Sequence, residues 1–161
     1  MARTLGIAAI VLGTSLLLSF GPASAQDSPA TLCNGGEGIT LTARIQGCTA
    51  FIASGADTPE LTSAYINLGN SHDDNGQPDL AIDDYAHAIA LSPDQPKIYF
   101  NRGVVYYNKG DYSRAIQDLD QAIRLKPDYV RAYTARGQAK KFSGDIAGGE
   151  ADTATARSLT P

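Results

Sequence analysis

The sequence predicts an all-α fold built from stacked helical hairpins, and three observations carry that prediction. First, the chain matches itself at an offset of 34 residues: Tyr65, Tyr99 and Tyr133; Gly69, Gly103 and Gly137; Gly76, Gly110 and Gly144; Asp84, Asp118 and Asp152; Ala88, Ala122 and Ala156; Leu91, Leu125 and Leu159; Pro93, Pro127 and Pro161. Such a period means that each unit is one supersecondary element which buries its apolar face against its neighbours. Second, apolar residues inside a unit fall at helical spacing, as in Ala115, Ile116, Leu119, Ala122 and Ile123. Third, Gly and Pro stand at the joints, where a helix must stop and the chain must turn. The 161 residues, 43% of them hydrophobic, suffice for a core of this kind.

Residues 1–25 read as an export signal. Arg3 gives a positive start, Leu5 to Phe20 is a nearly unbroken apolar run, and Ala23-Ser24-Ala25 offers small residues for cleavage. A membrane anchor is the competing reading, but Gly21-Pro22 ends the run without a positive flank. The residues before Cys33, Ala30-Thr31-Leu32, do not resemble a lipoprotein cleavage site. Cleavage near Ala25 would deliver a periplasmic or secreted protein with no membrane span in its mature form.

Residues 26–38 read as irregular, with Gly35-Gly36-Glu37-Gly38 as an ordinary turn. Residues 39–61 read as a degenerate capping helix and linker, with Ile45, Cys48 and Ile52 on one face and Gly55 at the helix end. Cys33 and Cys48 are the two cysteines of the chain, and an even count in an oxidising compartment predicts a disulfide; two separately buried thiols are the alternative. The bridge would tie segment 26–38 over the first end of the stack.

Three units follow, at 62–95, 96–129 and 130–161. In the middle one, Tyr99, Gly103 and Tyr106 share a helical face, Lys109-Gly110-Asp111 breaks the helix, and a second helix runs to Pro127. Tyr65, Leu68, Gly69, Ala81, Tyr85 and Pro93 in the first unit, and Tyr99, Gly103, Tyr106, Ala115, Leu119 and Pro127 in the second, resemble the tetratricopeptide repeat family. The third unit resembles it less, with Lys140, Gly149 and Thr153 at pattern positions. The resemblance implies a right-handed superhelical stack of three units plus a degenerate N-terminal helix, used as an interaction scaffold.

Arg102 and Arg136 stand where the first unit has Leu68, and each unit offers an Asp: Asp84, Asp118 and Asp152. Pairing each Arg with the Asp of the unit before it predicts inter-repeat ion pairs Asp84 with Arg102 and Asp118 with Arg136, leaving Leu68 against Gly47. Pairing within units is the alternative.

The resemblance also implies a concave groove along the first helices. Its peptide-binding positions would be Ile66, Asn67, Asn70, Lys97, Phe100, Asn101, Val104, Tyr107, Arg131, Thr134 and Gln138. Asn70, Asn101 and Arg131 match three of five positions that clamp a carboxylate tail in some family members, while Ile66 and Ala135 replace cations at the other two. Protein or peptide partners are therefore expected.

Self-association through Ile146 and Leu159 is the second reading, and an enzyme of unrecognised type the third. A formal charge of −4 argues against nucleic acid as the main partner. Charge is uneven: 62–95 holds six acidic and no basic residues, whereas 96–129 and 130–161 are each net +2. His72 and His87, the two imidazoles, stand in no nucleophile motif, so no catalytic residue is assigned. His72-Asp73-Asp74-Asn75-Gly76 lacks calcium-loop spacing, and neither a metal nor a cofactor is expected.

Overall fold

The computed structural model describes residues 28–55 and 57–160, so the proposed signal at 1–25 and Pro161 lie outside the described residues. Among the described residues eight helices follow one another: α1 (Pro29–Asn34), α2 (Leu41–Ala53), α3 (Thr58–Asp74), α4 (Pro78–Leu91), α5 (Pro96–Asn108), α6 (Tyr112–Leu125), α7 (Val130–Phe142) and α8 (Ile146–Ser158). No strand occurs among the described residues.

The joints obey the same chemistry at each period. Gly76, Gly110 and Gly144 all take positive φ, between 70° and 98°, which lets the next amide fold back onto the ending helix. Gln77, Asp111 and Asp145 accordingly donate their backbone N–H to the carbonyls of His72, Tyr106 and Lys140 at 2.8 to 2.9 Å. Asp111 and Asp145 then cap the following helices by accepting from Arg114 N–H and Gly148 N–H. Each hairpin is thus closed by a C-terminal Gly cap and, in two units, an Asp N-cap.

Within a hairpin, a missing side chain sets the helix separation. A Cβ on Gly103 would meet Leu119 Cγ at 3.0 Å, and one on Gly69 would meet Tyr85 at 2.9 Å. The helices therefore pack with Gly on one and a bulky residue on the other. Between hairpins, Ile82 and Ile89 join the buried cluster with Ile98 and Val105, and Ile123 joins Phe100 and Ala132. Separate buried clusters accordingly bridge successive hairpins.

Curvature follows from which helices meet. Among the described residues α3 touches α5 and α5 touches α7, whereas α4, α6 and α8 do not touch one another. The first helices of the units therefore lie on the inner side of the bend.

At the N-terminal end, the segment expected to be irregular carries α1, capped by Ser28 Oγ accepting from Thr31 N–H and started by Pro29. Cys33 and Cys48 form a disulfide with S–S 2.08 Å, and both sulfurs sit with Ala64 and Leu68 in a buried cluster. Gly47 is where α2 and α1 come closest: a Cβ there would overlap Leu32. It performs the duty of Ala81, Ala115 and Gly149 one to three periods on, so it does not occupy the Asp position as expected; Ala50 does.

The between-unit ion pairs are corrected by the structure. Arg102 Nε and Nη2 donate to Asp118 at 2.8 Å, a bidentate contact within the second hairpin. Arg136 binds Asp152 of its own hairpin in the same way, at 2.8 and 2.5 Å. Closing a hairpin brings together residues equidistant from its turn, and Arg102 and Asp118 each stand eight positions from Gly110. Asp84 does not meet Arg102: it takes His72 Nδ1 at 2.6 Å, one helical turn beyond Leu68. A between-unit bond does exist, but from Arg136 to Asp120 rather than Asp118.

Candidate functional site

The inner face holds a recess of about 150 Å³ lined by Asn70, Asp73, Tyr85, Phe100, Asn101, Val104 and Arg131. Three consecutive first helices, α3, α5 and α7, and one second helix, α4, contribute to it. Five of its residues, Asn70, Phe100, Asn101, Val104 and Arg131, are among those expected to form the groove.

Its polar floor is preorganised by one acceptor. Asn70 Oδ1 receives the Tyr85 hydroxyl at 2.6 Å and Asn101 Nδ2 at 3.1 Å, which fixes both amides in orientation. The Asn70 NH2 and the Asn101 carbonyl then have no partner among the described residues, so a donor and an acceptor are presented side by side. Burial, followed by the charge of Asp73, pushes the Tyr85 hydroxyl well above its usual range, and it stays a neutral donor. Burial and then Asp74 push the Asp73 carboxyl up.

Arg131 supplies the charge. Its guanidinium lies 4.7 Å from the centre of the Phe100 ring, which itself rests against Tyr129 at 5.1 Å. Stacking on an aromatic face holds the cation while leaving its N–H edge free. None of the ion pairs among the described residues uses Arg131.

Other groove positions are placed differently. Ile66, 8% exposed, belongs to the core with Tyr85 and Ile98 and is not offered to a ligand, because the face of α3 that carries it turns into the hairpin. Phe100 is also buried, acting as the platform for Arg131 rather than as an open apolar surface. Tyr107 turns to the edge of the stack, where it meets Tyr112 and Phe142 with ring centres 5.8 Å away. Lys97, Thr134 and Gln138 are exposed and Asn67 is half-buried, and none of the four lines the recess. Tyr85 was missed as a site residue. Its signal was available in the repeat, since a Tyr stands where the next units have Leu119 and Thr153.

A second recess, of about 300 Å³, lies between α1, α2 and α3 and is lined by Cys33, Phe51, Glu60 and Ser63 among others. It is larger, but its polar groups do not share an acceptor as Tyr85 and Asn101 share Asn70 Oδ1.

The buried Asp of each hairpin has a different environment. Burial, its largest influence, raises Asp152, but hydrogen bonds and charge from Arg136 and Lys140 together outweigh it and leave the carboxyl below its usual range. At Asp84 burial prevails over His72, and the carboxyl is raised. His72 is thus held in a structural pair by its Nδ1.

Stacked hairpins bridged by buried apolar clusters, with a polar recess on the inner wall, define a helical-repeat scaffold. Residues 66–130 and 105–139 match the family described as tetratricopeptide repeat, and the stacked hairpins have the fold of that family. No curated protein sequence matches the chain. Among solved structures it is similar to MamA, at 27% identity and TM-score 0.69 over 74% of this chain and 68% of that one. A second MamA structure matches equally well over 76% of this chain and 64% of its own. The second repeat domain of human RPAP3, solved with the HSP70 peptide SGPTIEEVD, is 28% identical with TM-score 0.63, over 65% of this chain and 88% of that one. The first such domain of Spaghetti (RPAP3), bound to the HSP90 peptide SRMEEVD, is 26% identical with TM-score 0.61, over 62% and 79%.

Proposed function

We propose that this chain is a non-catalytic scaffold of the cell envelope that holds an extended peptide segment of another protein on its inner face. The observation that carries the reading is the convergence of an oriented donor and acceptor, Asn70 and Asn101, with the stacked cation Arg131 on one recess. An extended backbone needs paired donors and acceptors, and Arg131 adds attraction for a carboxylate. RPAP3 domains hold peptides that end in acidic residues, which supports the class of ligand. Ile66 and Ala135 remove cations from this chain's wall, so a terminal carboxylate would be held less firmly here. A partner meeting Arg131 through an acidic side chain or its own C-terminus satisfies the site.

A photoreactive residue at Val104, which lines the recess and is half-buried, tests this directly. Capture of a protein partner in the native envelope is expected, and Arg131→Glu should lower its yield about tenfold or more. Capture that is unchanged by Arg131→Glu and by Asn101→Ala would reject the recess as the site. Export has its own measurement: the protein recovered from the envelope should begin at Gln26, and an intact Met1 end would refute cleavage.

A further inference from the structure

The register of the repeats assigns a specific role to the outward face of α8. In α4 the two residues that reach the next hairpin are Ile82 and Ile89, and in α6 they are Ile116 and Ile123. One period on, the same two positions hold Glu150 and Arg157. Both are exposed, and neither takes part in an ion pair among the described residues. The face that receives an apolar hairpin twice in this chain therefore becomes one with opposite charges, which a further unit of the same kind would not fit.

An exposed apolar residue flanks these charges: Ile146 opens α8 at 54% exposure, one turn before Glu150 and on the same face. Seven residues are two helical turns, so Glu150 and Arg157 point the same way about 10 Å apart. They are too far apart to pair with each other, but a second α8 lying antiparallel would bring each to its opposite.

We propose that this face docks a second copy of the chain through a two-fold axis near Thr153 and Ala154. Glu150 of each copy then meets Arg157 of the other, with Ile146 of each at the margin of the contact. A parallel arrangement would set Glu150 against Glu150 and Arg157 against Arg157, so the charges select the antiparallel one. An isologous contact closes on itself, giving a dimer rather than a filament. One helix pair buries less than a standard stable interface, so the dimer belongs to the weak, concentration-dependent class. The inner faces remain open in it, and peptide binding is independent of pairing.

Charge exchange tests the pairing. Sedimentation of the purified protein across concentrations up to about 1 mM should show a reversible dimer that weakens as salt rises. Arg157→Glu and Glu150→Arg should each raise the dissociation constant about tenfold or more, and the double variant carrying both should restore it. These residues are exposed, so far-ultraviolet circular dichroism should show all three variants folded. A monomer at the highest concentration overturns the proposal and makes the charges a solvated end. A dimer indifferent to the single exchanges, or not restored by the double, places the contact elsewhere and overturns it too.

Discussion

Arg102→Ala should destabilise the protein by about 3 kcal/mol, because it leaves a buried carboxylate without its cation. Asp118 is 10% exposed at its side chain, and Arg102, 20% exposed, is its ion-pair partner among the described residues through two bonds of 2.8 Å. Donating two hydrogen bonds to Asp118 raises the Arg102 pKa despite its burial, so the guanidinium stays charged. The cost of the substitution is chiefly the orphaned anion rather than the lost attraction. Removing both charges with Arg102→Leu and Asp118→Ala should therefore recover most of the loss, and the first unit already carries Leu68 at the Arg position. Urea unfolding of the two variants decides it. If the double variant is as unstable as Arg102→Ala, the deficit comes from packing beside Tyr106 and not from the stranded carboxylate.

The period, the helix ends and the three hairpins were legible because they depend on local chemistry repeated at a fixed interval. Gly76, Gly110 and Gly144 are visible in the sequence, and the turn geometry that needs them is the same each time. The partner of each Asp was harder to read. Asp84 to Arg102 and Arg102 to Asp118 are both compatible with a period of 34, so periodicity alone does not separate them. Distance from the turn does separate them, since an antiparallel hairpin joins residues at equal steps from Gly110, and that signal was present. It fails at Asp84, where Leu68 holds the symmetric position and His72 reaches back a turn to take its place.

The site shows the same division. Asn70, Asn101 and Arg131 could be placed on the inner face from register, whereas the depth of Ile66 and Phe100 depends on how α3, α5 and α7 lean together. The Tyr85 hydroxyl bond to Asn70 crosses from α4 to α3 within one hairpin, and no helical periodicity encodes it. Helix α1 was hidden for a different reason. Six residues are too few to hold a helix by propensity, and this one persists because it is tied and packed.

Replacing Cys33 and Cys48 together by Ala should cost about 3 kcal/mol, the loop-closure entropy of a bridge spanning 15 residues. The loss should be confined to one end. The bridge holds α1 against α2 at the point where Gly47 admits Leu32, and the two cysteines cover Ala64 and Leu68 of the first full unit. Without it, a helix of six residues has neither length nor covalent tether to keep it docked. Repeat stacks respond locally, because each unit touches its neighbours alone and total stability is near a sum of unit and interface contributions. Hydrogen exchange should therefore accelerate in α1, α2 and the start of α3 in the variant, while amides of α6, α7 and α8 keep their wild-type rates. Exchange that quickens uniformly along the chain would mean that the hairpins unfold as one unit and that the bridge does more than cap the first of them.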